Sequence, residues 1–546
     1  MPAFPLSLRL LATPLWALAQ GRVWWRERSR PLLRARVTLR HPLPDAQALA
    51  RVATASDVVG IHLVLEELHG GWATLQSARN ALLRIRAAGK IVVVEMERCG
   101  NAELYLASAA DRVWMRPMGE VHALGLGGTL RFAGAALAKV GLRFDMEAAG
   151  AYKSFGEQWT RSFASPANRE ATRVLVDELQ AELEGVVAEG RGLPVEEVRR
   201  AIADGPLSAD EALERHLIDA VGYGDACEAS LRERIGPELS FLPFHVWWRA
   251  VTVRDRLEHW IEKRRRVVVL HLKGPVMDGE GPPGTPAIAA VPVSRALRDL
   301  ADDDDVASVV LAINSPGGSA LASDLIWREV SRLGTKKPLL AVFGDVAASG
   351  GYYIAAPAAE IWAQPGSLTG SIGVVGGKVV VADAMARVGV STELILGAPN
   401  AAMYGPDAAF TPEQRLRFRA SLERFYRGFV ERVSAGRRRP YDVVEVHARG
   451  RVWTGRHALS VGLVDHLGGV EEAVARAGIL AGVPHPARVD LYLAPRSTRL
   501  ARLVRGWLET MMPELRLIPR LPPLATLLLN ARGGILLLWP WEVEIR

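Results

Sequence analysis

The chain has 546 residues and a mass of 59.3 kDa, enough for roughly three to four domains of ~150 residues. Charged residues make up 23% and hydrophobic residues 49% of it, which is typical of a globular protein and excludes an intrinsically disordered chain. The net charge of +7 is spread along the sequence, with no basic block interleaved with aromatic residues, so nucleic-acid binding is not expected.

An apolar run from Leu10 to Ala19 lies in the first segment of the chain, which we delimit as residues 1–35. The run is shorter than the ~20 residues that a membrane-spanning helix needs. The A-L-A sequence at its end has the form of a signal-peptide cleavage site, whereas the arginines that follow oppose translocation. An export signal, an interfacial membrane anchor and a buried helix are all open interpretations of this segment.

A lysine with small and aromatic neighbours is found in the sequence from Gly150 to Glu157. Only eight of the 67 basic residues are lysines, and a lysine can lose its proton when it is buried, whereas an arginine effectively cannot. Burial would lower the pKa of Lys153 and allow its neutral amine to act as a general base. A surface lysine is the alternative interpretation.

Buried strands are predicted in the second half by the apolar runs VVVLHL, SVVLAIN and PLLAVFG, each bounded by glycine, proline or charged residues. The segments SRALRDLADD and ALASDLIWREVSRLG between them have helical spacing, and Ser294 is predicted to be the N-cap of the first helix. This alternation of strands and helices predicts an α/β fold with a parallel sheet.

A single serine, Ser349, lies among small residues directly after the third of these strands. Small residues permit a tight turn from strand to helix, which would display the hydroxyl group as a nucleophile. The turn that contains Gly317 and Gly318 follows the preceding strand and can direct backbone N–H groups into a cleft as an oxyanion hole. A helix N-cap serine and a simple connecting turn are the alternative interpretations, and the histidines of this half form no motif that suggests a catalytic triad.

An internal repeat relates the two halves of the chain at a spacing of 246 to 248 residues. The sequence LYLASAADRVWMRP, which ends at Pro117, matches YYIAAPAAEIWAQP, which ends at Pro365, and two further blocks align at the same spacing. We therefore divide the chain into an N-terminal repeat at 36–240, a linker at 241–265, a C-terminal repeat at 266–490 and an amphipathic basic tail at 491–546.

Each of the two candidate residues is present in one repeat and absent from the equivalent position of the other. Ser349 aligns with Asn101 of the first repeat, and Lys153 aligns with Asn400 or Ala401 of the second. Each repeat therefore keeps one member of a serine–lysine pair, which predicts a site built from both halves of the sequence.

Four motifs together resemble the signal peptide peptidases of the protease IV type, in their long tandem-repeat form. They are GAYKSFGEQWTR around Lys153, INSPGG at 313–318, GDVAASGGYYIA around Ser349 and PGSLTGSIGV at 365–374. The resemblance covers about residues 36–490 and implies a tandem duplication of a ClpP/crotonase-like β-α spiral domain.

The resemblance also implies the roles of individual residues in a serine peptidase. Ser349 would be the nucleophile and Lys153 the general base, while Gly317 and Gly318 would form the oxyanion hole. Ser371, in the T-G-S-I-G-V sequence, would help to hold the lysine. No cofactor and no metal is implied, and no cluster of cysteine and histidine residues in the sequence suggests a metal site.

The substrates implied are remnant signal peptides, and we expect apolar peptides with small residues before the cleaved bond. The resemblance further implies a homotetramer attached to the inner membrane, with its active site on the periplasmic side. The basic tail could lie on a membrane surface or pack on its own domain. Cys99 and Cys227 could form one disulfide at most.

Two other classes of function are alternatives to a peptidase. A crotonase-like acyl-CoA hydratase or isomerase also uses backbone oxyanion holes, but it would need a pair of acidic catalytic groups and a coenzyme A site, and neither is evident in the sequence. A non-catalytic membrane scaffold would not explain why Ser349 and Lys153 are retained in opposite repeats.

Overall fold

The computed structural model describes residues 30–38, 43–68, 70–262, 264–282, 285–483, 487–493 and 535–538. The apolar run of the predicted N-terminal segment and most of the predicted tail lie outside these ranges, so our interpretations of both stay predictions. No helix among the residues described is both long and apolar enough to cross a membrane.

Strands and helices alternate through the first half of the chain. The strands are β1 (Leu32–Val37), β2 (Gly60–Leu65), β3 (Ile91–Cys99), β4 (Arg112–Val121), β5 (Arg143–Ala149), β6 (Leu207–Ser208), β7 (Ala220–Val221) and β8 (Phe241–Pro243). The helices are α1 (Ala46–Thr54), α2 (Trp72–Ala87), α3 (Asn101–Ala107), α4 (Gly134–Lys139), α5 (Glu157–Thr160), α6 (Pro166–Arg191), α7 (Val195–Asp204), α8 (Ala209–Glu214), α9 (Gly224–Ile235) and α10 (Phe244–Glu262).

The second half continues the same alternation. Its strands are β9 (Arg266–Lys273), β10 (Val276–Met277), β11 (Ile288–Ala289), β12 (Val306–Ser315), β13 (Gly317–Ser319), β14 (Leu339–Ala348), β15 (Glu360–Ala363), β16 (Leu368–Gly370), β17 (Val374–Val380), β18 (Val452–Thr454), β19 (His466–Leu467), β20 (Ala487–Tyr492) and β21 (Ile535–Leu538). Its helices are α11 (Ala290–Asp302), α12 (Ala320–Lys336), α13 (Gly350–Ala355), α14 (Ala382–Arg387), α15 (Pro412–Arg437), α16 (Tyr441–His447), α17 (Gly455–Ser460) and α18 (Val470–Leu480).

The chain forms two compact units whose boundaries differ from those of the sequence repeats. Unit 1 contains the residues up to Gly127 together with Asp177–Arg264, and unit 2 contains Gly128–Val176 together with Arg265–Ile545. Lys153 therefore belongs to the first repeat by sequence and to unit 2 by structure.

The core of unit 1 is a mostly parallel sheet with the strand order β6-β4-β3-β2-β1-β8 and with β7 beside β4. Every residue of β2 is buried, as expected for a central parallel strand that is covered on both faces. The segment interpreted as a linker at 241–265 folds as β8 and α10. Phe244, Trp247 and Val251 are spaced three and four residues apart, so they lie on one face of α10 and pack into the core of this unit.

Unit 2 contains two sheets. One has the strand order β18-β16-β14-β12-β9-β20, with β15 beside β14 and β19 beside β15, and the other has the order β11-β10-β13-β21-β17-β5. Strands β9, β12 and β14 correspond to the three apolar runs of the sequence and pair in parallel. Their carboxyl ends consequently lie at the same edge of the sheet.

The predicted N-cap at Ser294 is wrong. Helix α11 begins at Ala290, four residues earlier, and Ser294 is buried inside it. The helix starts early because β11 runs directly into it, and Pro292 is tolerated in the first helical turn, where its missing N–H group has no intrahelical acceptor.

The sequence repeat reappears in the topology of the two units. Strands β1 to β4 pair in sequence order, as do β9, β12, β14 and β15. Trp114 of β4 pairs in parallel with Ala220, and Trp362 of β15 pairs in parallel with His466. The strand pairings β1 with β8 and β9 with β20 are also equivalent and parallel. Each unit thus contains the same parallel sheet.

Candidate active site

Ser349 lies at the turn from β14 into α13. Its backbone has φ 54°, a left-handed conformation that a non-glycine residue seldom adopts, and its side chain is fully buried. The next residue must be small, because a Cβ atom on Gly350 would lie 2.6 Å from Ser323 Oγ. The sequence A-S-G-G therefore serves a tight strand-to-helix turn, as predicted from its small residues.

Ser371 is brought beside Ser349 by the pairing of two parallel strands. The last residue of β14 pairs with the last residue of β16, Ala348 with Gly370, and each serine is the next residue along its chain. The Ser349 N–H group donates a hydrogen bond of 2.8 Å to the Gly370 carbonyl oxygen. Ser371 also has a left-handed backbone, with φ 49°.

Lys153 reaches the same place from the first half of the sequence. Strand β5 runs antiparallel to β17, and its last residue, Ala149, pairs with Val374, the first residue of β17. Since Val374 is three residues beyond Ser371, this pairing leads the chain after β5 towards the two serines. A turn at Gly150, with φ 110°, then directs the chain to Lys153.

The lysine amine touches both serines. Lys153 Nζ lies 2.8 Å from Ser349 Oγ, 2.9 Å from Ser371 Oγ and 2.9 Å from the Ser371 carbonyl oxygen. The lysine is only 4% exposed, and its burial holds the pKa of the amine well below the ordinary value, because desolvation disfavours the charged form. The surface-lysine interpretation is therefore wrong, and the amine has the environment that a neutral base requires.

The two predicted oxyanion-hole residues have different surroundings. Gly318 lies next to the nucleophile turn, since a Cβ atom on Gly350 would be 3.1 Å from the Gly318 backbone nitrogen. The Gly317 N–H group donates a 3.2 Å hydrogen bond to Ser315 Oγ. Both glycines have positive φ angles, 100° at Gly317 and 158° at Gly318. The Gly317 N–H group is thus already bonded to a side chain, whereas the Gly318 nitrogen lies beside the nucleophile turn.

A loop at 448–451, which our sequence analysis did not identify, holds both sides of this site. The Arg449 carbonyl oxygen accepts a 2.8 Å hydrogen bond from the Tyr152 N–H group, beside Lys153, and the Arg451 carbonyl oxygen accepts one of 2.7 Å from the Ser371 N–H group. Between them, the Gly450 N–H group donates to the Ile372 carbonyl oxygen at 2.7 Å. The available signal was a single glycine between two arginines, which marks a turn but not what the turn supports.

Unit 1 contains a buried group of side chains that could in principle hold a metal ion. Ligand atoms of His62, Glu95 and Cys227 lie within 4.8 Å of one another. The pKa of the Cys227 thiol is raised to about 12, mainly by burial, so it is a poor source of the thiolate that a metal would need. His62 Nε2 lies 3.3 Å from a Glu95 carboxylate oxygen, and this contact lowers the pKa of Glu95. Cys99 and Cys227 are both free thiols.

A serine hydroxyl in contact with a buried lysine amine, at the carboxyl edge of a parallel sheet, is an arrangement used by serine hydrolases whose base is a lysine. Comparison with protein-family models gives the same class and makes it specific: the chain belongs to peptidase family S49. The family model matches twice, at residues 84–236 and 331–484. The first match contains Lys153, and the second contains Ser349 and Ser371.

Similar proteins extend over most of the chain. The chloroplastic serine protease SPPA of Arabidopsis thaliana is 32% identical over 82% of this chain and 67% of its own length. Protease 4 of Salmonella typhi is 31% identical over 80% of this chain and 71% of its own length. Among solved structures, ClpP1 of Listeria monocytogenes matches 40% of this chain and 99% of its own, at 15% identity and a TM-score of 0.26.

The double match to the family model and the similar proteases confirm the predicted family and class of enzyme, and the double match with the α/β sheets of both units confirms the α/β tandem duplication. The protein is a serine peptidase. Nothing in them supports an acyl-CoA hydratase, an acyl-CoA isomerase or a non-catalytic scaffold.

Proposed function

We propose that this peptidase cleaves apolar peptides with a dyad in which Ser349 is the nucleophile and Lys153 is the general base. The observation that carries the proposal is the 2.8 Å contact between Lys153 Nζ and Ser349 Oγ, with the lysine buried so that its pKa is lowered. A neutral amine at this distance can accept the hydroxyl proton as the oxygen attacks.

The first half of the reaction forms an acyl-enzyme. Ser349 Oγ bonds to the carbonyl carbon of the peptide while its proton moves to Lys153 Nζ. The carbonyl oxygen becomes negatively charged in the tetrahedral intermediate, and we propose the Gly318 N–H group, whose nitrogen lies beside the nucleophile turn, as its hydrogen-bond donor. The intermediate collapses when the C–N bond breaks and the Lys153 ammonium group returns its proton to the leaving amine.

The second half of the reaction uses water. Lys153, neutral again, takes a proton from a water molecule that attacks the ester carbon, and the C–Oγ bond then breaks as Ser349 regains its proton. Ser371 holds the lysine throughout, because its hydroxyl and its carbonyl oxygen are both 2.9 Å from Nζ. With these two contacts, the amine keeps one orientation in both the neutral and the protonated form.

We propose remnant signal peptides as the substrates. Remnant signal peptides are apolar and unfolded, and they suit an active site framed by the small residues Gly317, Gly318 and Gly350. We propose in addition that the chain acts as a homotetramer at the inner membrane, with the active site on its periplasmic side. Light scattering of the purified full chain and protease protection of intact spheroplasts would test assembly and location separately.

The decisive test compares Ser349→Ala and Lys153→Met with the wild type on a fluorogenic apolar peptide. Lys378→Met is a matched control, since Lys378 is also a buried lysine of unit 2 whose pKa is lowered by burial, but its Nζ donates to the Met403 carbonyl oxygen at 2.7 Å. We expect the two dyad variants to lose at least about 10³-fold in kcat. The control should keep wild-type kcat.

Wild-type cleavage by folded Ser349→Ala would refute the proposed nucleophile. A folded Lys153→Met variant that kept its activity would refute the proposed base. If Lys378→Met lost as much kcat as Lys153→Met, the loss would come from replacing any buried lysine. It would then not show that the contact between Lys153 and Ser349 matters.

A further inference from the structure

The second sheet of unit 2 contains a strand from the far end of the sequence. Its strand order places β21, residues Ile535–Leu538, between β13 and β17. Adjacent strands are about 4.8 Å apart, so β13 and β17 flank a groove that is one extended strand wide. Among the residues described, this groove is filled by backbone from the carboxy-terminal tail.

The groove runs past the proposed catalytic residues. One wall is β13, whose Gly318 nitrogen lies 3.1 Å from the position of a Cβ atom on Gly350, directly after Ser349. The other wall is β17, which begins three residues after Ser371. An extended peptide that pairs with both walls must therefore pass the Ser349 hydroxyl and the Gly318 N–H group.

The tail segment pairs with both walls as a peptide would. Its strand is antiparallel to β13, with Leu538, Leu537 and Leu536 opposite residues 317, 318 and 319. It is also antiparallel to β17, with Leu536 and Ile535 opposite residues 375 and 376. Addition of an extended peptide to exposed strand edges is a general mode of peptide recognition, in which the backbone supplies the affinity.

We propose that residues 535–538 act as a pseudosubstrate, which inhibits this peptidase by occupying its peptide groove in competition with substrate. This inference rests on the proposed function, because it takes the groove beside Ser349 as the place where substrates bind. The sequence of the segment, I-L-L-L, has the apolar character expected of those substrates. Inhibitor and substrate would thus share one binding mode.

The pairing is suited to competition and not to permanent closure. Only three residues pair on one side and two on the other, so few backbone hydrogen bonds hold the segment. A segment tethered to the same chain is present at an effective concentration on the order of millimolar, which favours occupancy without new contacts. Substrate at a comparable concentration, or with higher affinity, displaces it.

The test uses the full chain with Leu537→Pro, and Leu537→Val as its matched control. Proline removes the N–H group of a strand that is paired on both edges, so it prevents the segment from lying in the groove. Valine keeps the N–H group, the apolar character and the preference for a strand. We expect Leu537→Pro to raise kcat/KM for a short apolar peptide about five-fold, given millimolar tethering, and Leu537→Val to behave as the wild type.

A synthetic peptide with the sequence of residues 534–541 provides the reciprocal measurement. Added to the Leu537→Pro chain, it should restore inhibition, and this inhibition should be competitive with substrate. Unchanged kcat/KM in a folded Leu537→Pro chain, or inhibition that is not competitive, would overturn the proposal.

Occupancy of the groove can be measured without catalysis, which separates this inference from the proposed function. In Ser349→Ala chains, hydrogen exchange at the backbone amides of β13 and β17 that face β21 should be slow and should become faster when Leu537→Pro is added. If this change is seen while the folded wild-type chain cleaves no peptide, the peptidase mechanism is refuted and the docked tail is retained. Equal exchange with and without Leu537→Pro would overturn the docked tail itself.

Discussion

Gly450 lies directly against Lys153. A Cβ atom on Gly450 would be 2.5 Å from the Lys153 backbone nitrogen and 2.7 Å from its Cα atom, and Gly450 has φ 78°. The loop at 448–451 thus fixes the position of the lysine backbone, and it does so at a residue where only glycine fits. Close packing against this loop therefore positions Lys153, as does strand β5 before it.

Gly450→Ala should therefore reduce activity, although Ser349 and Lys153 themselves are unchanged. Displacement of a catalytic group by about 1 Å can cost about 10²-fold in rate, and we expect a loss of that order in kcat/KM. Gly482→Ala is the matched control, because Gly482 also has a positive φ, 66°, but no atom of the described residues, its two chain neighbours aside, lies within 4 Å of the position of an added Cβ atom. Equal activity of the two variants would show that contact with Lys153 does not matter.

The pH dependence of activity should follow the lysine amine. The neutral form of Lys153 is the active base, so kcat/KM should rise with pH as the amine loses its proton. Because burial lowers the pKa of Lys153, this rise should be complete at a pH well below the usual lysine value of 10.5. Initial rates across a pH series would show it. A rise centred near 10.5 would contradict the buried, neutral base.

Lys153→Met should make the protein inactive and more stable. The pKa of Lys153 is lower in the folded chain than in the unfolded one, so the wild type must release the lysine proton when it folds at neutral pH. This release costs free energy of folding, and a methionine at this position avoids it. The stability advantage of the variant should grow as pH falls below about 10.5, by about 1.4 kcal/mol per pH unit until the folded-state pKa is reached. Thermal unfolding at pH 10 and pH 8 measures this, and a smaller advantage at pH 8 would contradict it.

Ser371→Ala should slow catalysis without abolishing it. The substitution removes one of the acceptors 2.9 Å from Lys153 Nζ and leaves the Ser371 carbonyl oxygen in place. We expect kcat to fall about 10-fold and KM to stay near the wild-type value, since the base is less well held but the peptide groove is unchanged. A shift of the pH profile should accompany the loss, because the surroundings of the amine change.

Ser367→Ala is the control for Ser371→Ala. Ser367 is equally buried, and its hydroxyl accepts a 3.1 Å hydrogen bond from the Gln364 N–H group. Its loss should lower stability by about 1 kcal/mol and leave both kcat and the pH profile unchanged. If the two alanine variants share one pH profile, Ser371 has no special role at the lysine.

The amino-acid sequence alone predicted Ser349 and Lys153 as a catalytic pair, but it did not identify the loop at 448–451. Ser349 was recognisable because small residues around a lone serine after a strand permit one kind of turn. Lys153 was recognisable because lysines are few, and because each repeat lacks the residue that the other retains. These are local and periodic properties, and the physical rules behind them need no knowledge of distant contacts. The same rules failed at Ser294, where the neighbouring strand β11 decided the start of the helix.

Tertiary structure decided what these residues can do. The lowered pKa of Lys153 arises from desolvation by chain segments that are remote in sequence, and the 2.8 Å contact with Ser349 requires β5 to pair with β17 across more than two hundred residues. The support from the 448–451 loop and the tail strand in the groove are likewise long-range. The burial of a side chain and its distance from another residue depend on which remote segments pack around it. A linear pattern of residues does not specify those segments.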